Sequence, residues 1–115
     1  MTNIHDKARE LASALHASEE YLRYSEARDA AYENATTKEL LMQYRRMQTQ
    51  AQAAMLAGKR DEETMQQVQR MGEILQMDGK AAAYLMAEYR LSTLLSDVYK
   101  ILGDAIDLDL SALEG

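Results

Sequence analysis

Hydrophobic residues recur along this chain at alternating steps of three and four, the period of one face of a helix. The pattern is strongest from Ala81 to Leu102. There Tyr84, Ala87, Leu91, Leu94, Val98 and Ile101 form a stripe, and Leu85, Leu95, Tyr99 and Leu102 widen it on one flank. Twenty-two helical residues would span about 33 Å. A stripe this wide needs cover on more than one side, from sister helices or from a second chain.

The remaining elements fall around this long helix. Asn3 is placed to cap a first helix whose apolar positions are Ile4, Ala8, Leu11 and Leu15. Ser18, followed by Glu19 and Glu20, has the look of a second N-cap, so a bend near Ala17 is expected before the segment running to Glu33. Asn34 to Thr37 is a break, and Thr36 with Glu39 has capping-box spacing. A third helix carries Leu40, Tyr44, Met47, Ala51 and Ala54, broadened by Leu41 and Met55. It ends at Gly58, a residue suited to the position past a helix C-terminus. Asp61 opens a fourth helix with Met65, Val68, Gly72 and Leu75, closed at Asp78-Gly79. Gly103 is expected to stop the last helix. The alternating Ile106, Leu108 and Leu110 then suggest an extended tail over residues 103–115, lying on the bundle. The expected fold is all-α: one domain over 1–115, an antiparallel bundle of four to five helices with one long C-terminal helix, assembling as an oligomer.

Composition agrees with that reading. Proline is absent and glycine scarce, while strong helix formers abound. The formal net charge of −6 argues against a general binder of phosphate backbones. A local exception is the segment from Lys38 to Arg60, where Lys38, Arg45, Arg46, Lys59 and Arg60 face Glu39 alone. No uncharged run approaches the roughly 18 residues that span a bilayer, and the first residues lack a signal-peptide core. A cytoplasmic protein without membrane insertion is expected.

Candidate chemistry is sparse. Without cysteine there is no disulfide, no thiolate-held cluster and no thiol nucleophile. A carboxylate-rich bundle raises the question of a di-iron site, which needs Glu-x-x-His pairs on two helices. The two histidines, His5 and His16, share the first helix, and neither follows a glutamate by three. Glycines never cluster into a phosphate loop, and no nucleophile elbow is present. No catalytic residue, metal or cofactor is expected, and the chain is read as non-enzymatic. Eight methionines and seven tyrosines stand where phenylalanine and tryptophan are absent, a choice that suits a subunit interface. The expected interface is Tyr84, Ala87, Leu91, Leu94, Leu95, Val98, Ile101 and Leu102. Glu88, beside that seam, is a candidate polar contact for Arg45 or Arg46, or an ordinary rim acid.

Ala14-Leu15, Ser18-Glu19-Glu20-Tyr21 and Arg23 resemble the N-terminal pattern of the YlbF/YmcA/YheA family. Ala87-Glu88, Arg90-Leu91-Ser92, Leu94-Leu95 and Asp97-Val98 resemble its long helix, and Ala57-Gly58 before an acidic helix start agrees in place. The resemblance covers nearly the whole chain and is closest to the YheA branch. It implies a helical, oligomeric, non-enzymatic protein that acts with protein partners in competence, sporulation, biofilm formation and mRNA processing by a membrane-bound endoribonuclease. Some members carry cysteines tied to iron–sulfur clusters, which this chain does not have. Two functions follow as expectations. The first is a cytoplasmic adaptor that forms homo-oligomers, dimeric or higher, and binds other proteins. Its alternative is an accessory factor of RNA processing, contacting RNA or a ribonuclease through Lys38–Arg60. Direct nucleic-acid binding is not the expectation under the first.

Overall fold

A computed structural model describes residues 3–59 and 61–110. Five helices follow one another: α1 (Ile4–His16), α2 (Glu19–Tyr32), α3 (Ala35–Leu56), α4 (Glu62–Gln76) and α5 (Gly79–Ile106), with no strand among the described residues. The chain divides into two compact units. One is Ala27–Tyr84; the other joins Met1–Glu26 to Leu85–Gly115.

Each joint is closed by a short polar side chain. Asn3 Oδ1 accepts from the His5 amide at 2.8 Å and starts α1. The bend expected near Ala17 is a full break: the Ser18 hydroxyl donates to the Leu15 carbonyl and accepts from the Tyr21 amide, ending one helix and starting the next. Asn34, not Thr36, caps α3, its side chain accepting from the amides of Thr36 and Thr37. The capping-box spacing misleads because Asn34 lies two residues nearer the break and reaches the same free amides. Asp61 caps α4 through Thr64.

Two helices end on left-handed residues. Gly58 has φ +74°, and the amides of Gly58 and Lys59 return to the carbonyls of Met55 and Ala54. This paired closure is the Schellman arrangement. At the end of α5 the expectation needs correcting. Gly103 does not stop the helix, which runs on through Asp104 to Ile106; the stop is Asp107, at φ 54°. The Leu108 amide donates to the Gly103 carbonyl at 2.9 Å, the outer bond of the Schellman arrangement, with aspartate in the glycine's place. Residues 104–106 are therefore helical, 107–110 are not, and 111–115 lie outside the described residues.

Gly103 has a different task. The returning chain lays the Leu108 carbonyl where a β-carbon on residue 103 would stand, at 2.5 Å. Gly103→Ala should force that turn apart. The expected cost is about 1–3 kcal/mol, as for overpacking elsewhere, read as a lower urea midpoint.

The core lies in the unit Ala27–Tyr84. Ala31, Thr37, Leu41, Leu75, Ala81 and Tyr84 are buried there. α3 and α4 form a helical hairpin, and Gly72 leaves room for the Tyr44 ring, whose edge lies 3.6 Å from where a β-carbon would sit. The deepest α3 position is Leu41 rather than its neighbour Leu40. Burying a leucine or tyrosine of this kind contributes about 1.5–3 kcal/mol.

Asp78 links two elements within this unit. One carboxylate oxygen accepts from the amides of Lys80 and Ala81, capping α5. The other accepts from the Thr37 hydroxyl at 2.7 Å, at the start of α3. The Thr37 hydrogen bond, then the amides, hold the Asp78 carboxyl below its ordinary pKa. Its stabilising effect is complete above the unfolded-state value of about 3.9 and is lost as pH falls through the lower folded value. Thr37→Ala should move the Asp78 titration back up, lower stability at neutral pH, and shrink the loss on acidification below about pH 4. Carboxyl NMR titration and urea midpoints at pH 7 and pH 3 would check this.

Candidate interaction face

The sequence marked α5 as the interaction element, and the structure sorts its residues. Tyr84 is only 2% exposed in its own chain. Its hydroxyl accepts from Arg45 Nη2 at 2.7 Å, the Arg45 guanidinium lies 5.3 Å from its ring centre, and Tyr32 meets it edge-on at 5.7 Å. Tyr84 thus sits in a core, not on an open face. Ala87, Leu91, Leu94 and Val98 are half-buried. Leu95 and Leu102 are exposed, as are Tyr99, Ile101 at 68% and Ile106 at 64%. Cover thins toward the end of the helix, and Leu95, Tyr99, Leu102 and Ile106 form an open stripe at steps of four, three and four. Tyr99, which widens the stripe, and Ile106 were outside the expected interface; the same periodicity reaches Ile106 once the helix is allowed to pass Gly103.

Unit Met1–Glu26 with Leu85–Gly115 has no buried apolar side chain among its described residues. α1 is the plainest case. It has a polar and an apolar face, yet none of its residues is buried. Its charges are matched within the helix, Arg9 to Asp6 at 2.8 Å and Lys7 to Glu10 at 3.2 Å, and such exposed pairs contribute little. His16 stacks at 4.7 Å on Tyr21. Among the described residues no three His, Asp or Glu come together as a metal-holding group.

The described side chains of the basic segment have separate partners. Lys38 lies 5.4 Å from the Tyr32 ring centre, Arg45 turns inward to Tyr84, and Arg46 pairs with Glu39 at 3.5 Å. Lys59 stands at the exposed α3–α4 turn, and Arg60 lies outside the described residues. Cations held over tyrosine rings are attracted by the ring face and are partly committed. A shallow groove of about 480 Å³ runs beside Arg45, Gln48, Thr49, Ala51, Gln52 and Val68, with polar and apolar lining in nearly equal share. Glu88 is half-buried on α5. No helix among the described residues is long and apolar enough to cross a membrane.

The family model described as control of competence regulator ComK, YlbF/YmcA, matches residues 4–107. A UPF0342 protein of Symbiobacterium thermophilum is 39% identical over 108 residues, covering 93% of this chain and 96% of the relative. A UPF0342 protein of Bacillus cereus is 35% identical, covering 87% and 86%. Among solved structures, a protein of unknown function (DUF964) from Bacillus stearothermophilus superposes with a TM-score of 0.79 at 21% identity, covering 90% of this chain and 92% of that one. A chain from the crystal structure of Bacillus subtilis RicA in complex with RicF superposes with a TM-score of 0.61 at 20% identity, covering 90% of this chain and 93% of that one.

Proposed function

The chain belongs to the family of the competence regulators YlbF and YmcA, and from that premise we propose a non-enzymatic cytoplasmic regulatory adaptor. It acts by assembling with itself and with other proteins through the apolar face of α5. The observation that carries this reading is the open end of that face: Leu95, Tyr99, Leu102 and Ile106 lie uncovered on one helix of a single chain. Soluble monomers rarely leave so continuous an apolar strip in water. A second copy related by a two-fold axis is the commonest way to cover one. The RicA–RicF complex, one chain of which is similar in fold, joins two proteins, which supports the same mode of action here.

Light scattering on the purified protein at tens of micromolar tests the reading, with a dimer or larger species expected. A well-folded monomer would overturn it. The RNA reading is separated by a gel shift. Submicromolar retention of RNA that falls steeply with added salt is the signature of released counterions. None is expected, given the net charge of −6 and the commitment of Lys38 and Arg45 to tyrosine rings.

A further inference from the structure

We infer that α1 is an exchanged arm: the α1 stripe of each chain packs on the open end of α5 in a second copy, reciprocally. The inference rests on the self-assembly proposed above and names a second surface for it.

Three observations carry it. First, α1 is finished in every respect but one. Its start is capped by Asn3, its end is closed at Ser18, and its charges are internally matched. Ile4, Ala8 and Leu11 remain exposed, Ile4 at 83%, and Leu15 is only half-buried. A helix of 13 residues is marginal alone in water and needs an apolar surface to pack on.

Second, the two open stripes match. Ile4, Ala8, Leu11 and Leu15 follow steps of four, three and four, as do Leu95, Tyr99, Leu102 and Ile106. Each spans about three turns, or roughly 18 Å. Run antiparallel, they set Ile4 on Ile106, Ala8 on Leu102, Leu11 on Tyr99 and Leu15 on Leu95. The small residue of α1 then meets a large one, as interdigitating layers require.

Third, the helix poles favour one direction. The end of α5 carries Asp104 and Asp107 beside the negative pole of the helix. Antiparallel packing brings the positive pole of α1 to that end. Parallel packing would bring two negative poles and the acids together.

A second copy is the occupant because one chain carries both halves of the contact. A two-fold axis makes the contact twice. The α5 stripe alone, with four large side chains, is small beside the roughly 1,600 Å² of a standard interface, and α1 supplies the missing area.

The absence of cysteine makes a clean test. Ile4→Cys and Ile106→Cys are purified separately, mixed and oxidised. Both sites are exposed in the single chain, so both variants should fold. Most of the protein in the mixture should become a covalent dimer, while neither variant alone should link. Leu11→Cys mixed with Tyr99→Cys repeats the test one layer inward. The double variant Ile4→Cys/Ile106→Cys reports packing within a chain: an internally linked monomer would overturn the exchange. Light scattering on the same samples separates the two failures. A dimer that never links in either mixture sinks the arm and leaves the α5 assembly standing. A monomer in every sample sinks both.

Discussion

Tyr84→Ala is expected to remove about 3–5 kcal/mol of stability, the cost of deleting a buried aromatic side chain. Small domains have only about 5–15 kcal/mol in total. Tyr84 is where α5 enters the core: Tyr32 stands edge-on to it, and Arg45 lies along it and donates to its hydroxyl. Tyr84→Phe separates the two contributions. It keeps the ring and removes the acceptor, for an expected loss of about 1 kcal/mol. Urea unfolding of both variants beside the wild type checks the order. If Tyr84→Ala unfolded at the wild-type midpoint, the core assigned to Ala27–Tyr84 would be wrong.

The second large effect is on assembly. Leu94→Asp with Leu95→Asp should convert the assembled protein to monomer. A fully buried leucine is worth about 1.5–3 kcal/mol, and a symmetric interface loses each residue twice. Every 1.4 kcal/mol is about tenfold in Kd, so the pair should weaken a dimer by several orders of magnitude. Leu94 is half-buried within its own chain and Leu95 is exposed, so the two need separating. Leu95→Asp alone should lower the assembled fraction with little change in helicity, and Leu94→Asp should do both. Sedimentation velocity with circular dichroism on the same samples distinguishes loss of assembly from loss of fold. Unchanged assembly in Leu95→Asp would move the interface elsewhere.

The five helices and most of their joints were legible because each boundary is written in side chains of known habit. Asp61, Ser18 and Gly58 stand where the spacing puts them, and each does there what its chemistry allows. What failed is equally local. Thr36 with Glu39 satisfies the spacing of a capping box, but periodicity cannot tell that Asn34 reaches the same amides first. Gly103 reads as a stop by composition. Its real role depends on the Leu108 carbonyl, which comes back from a turn that no helical pattern describes. The stripe on α5 was visible, but not its division. Periodicity places Tyr84 and Ile101 on one face and is blind to the elements that bury the first and leave the second in water. The basic segment shows the same limit. Lys38, Arg45 and Arg46 are close in sequence, yet two lie over rings and the third pairs with a glutamate.

One further consequence follows from where the buried residues lie. Every buried apolar side chain among the described residues belongs to Ala27–Tyr84, while α1 and the last turns of α5 have none. Backbone amides in the first group open to solvent only by breaking a core; those in the second open by local fraying. The proposed self-association would add protection to the second group alone, by mass action. The amide hydrogen-exchange rates of α1 and of residues 95–106 therefore become a gauge of protein concentration. Those of Leu41, Leu75 and Tyr84 stay fixed as a built-in reference.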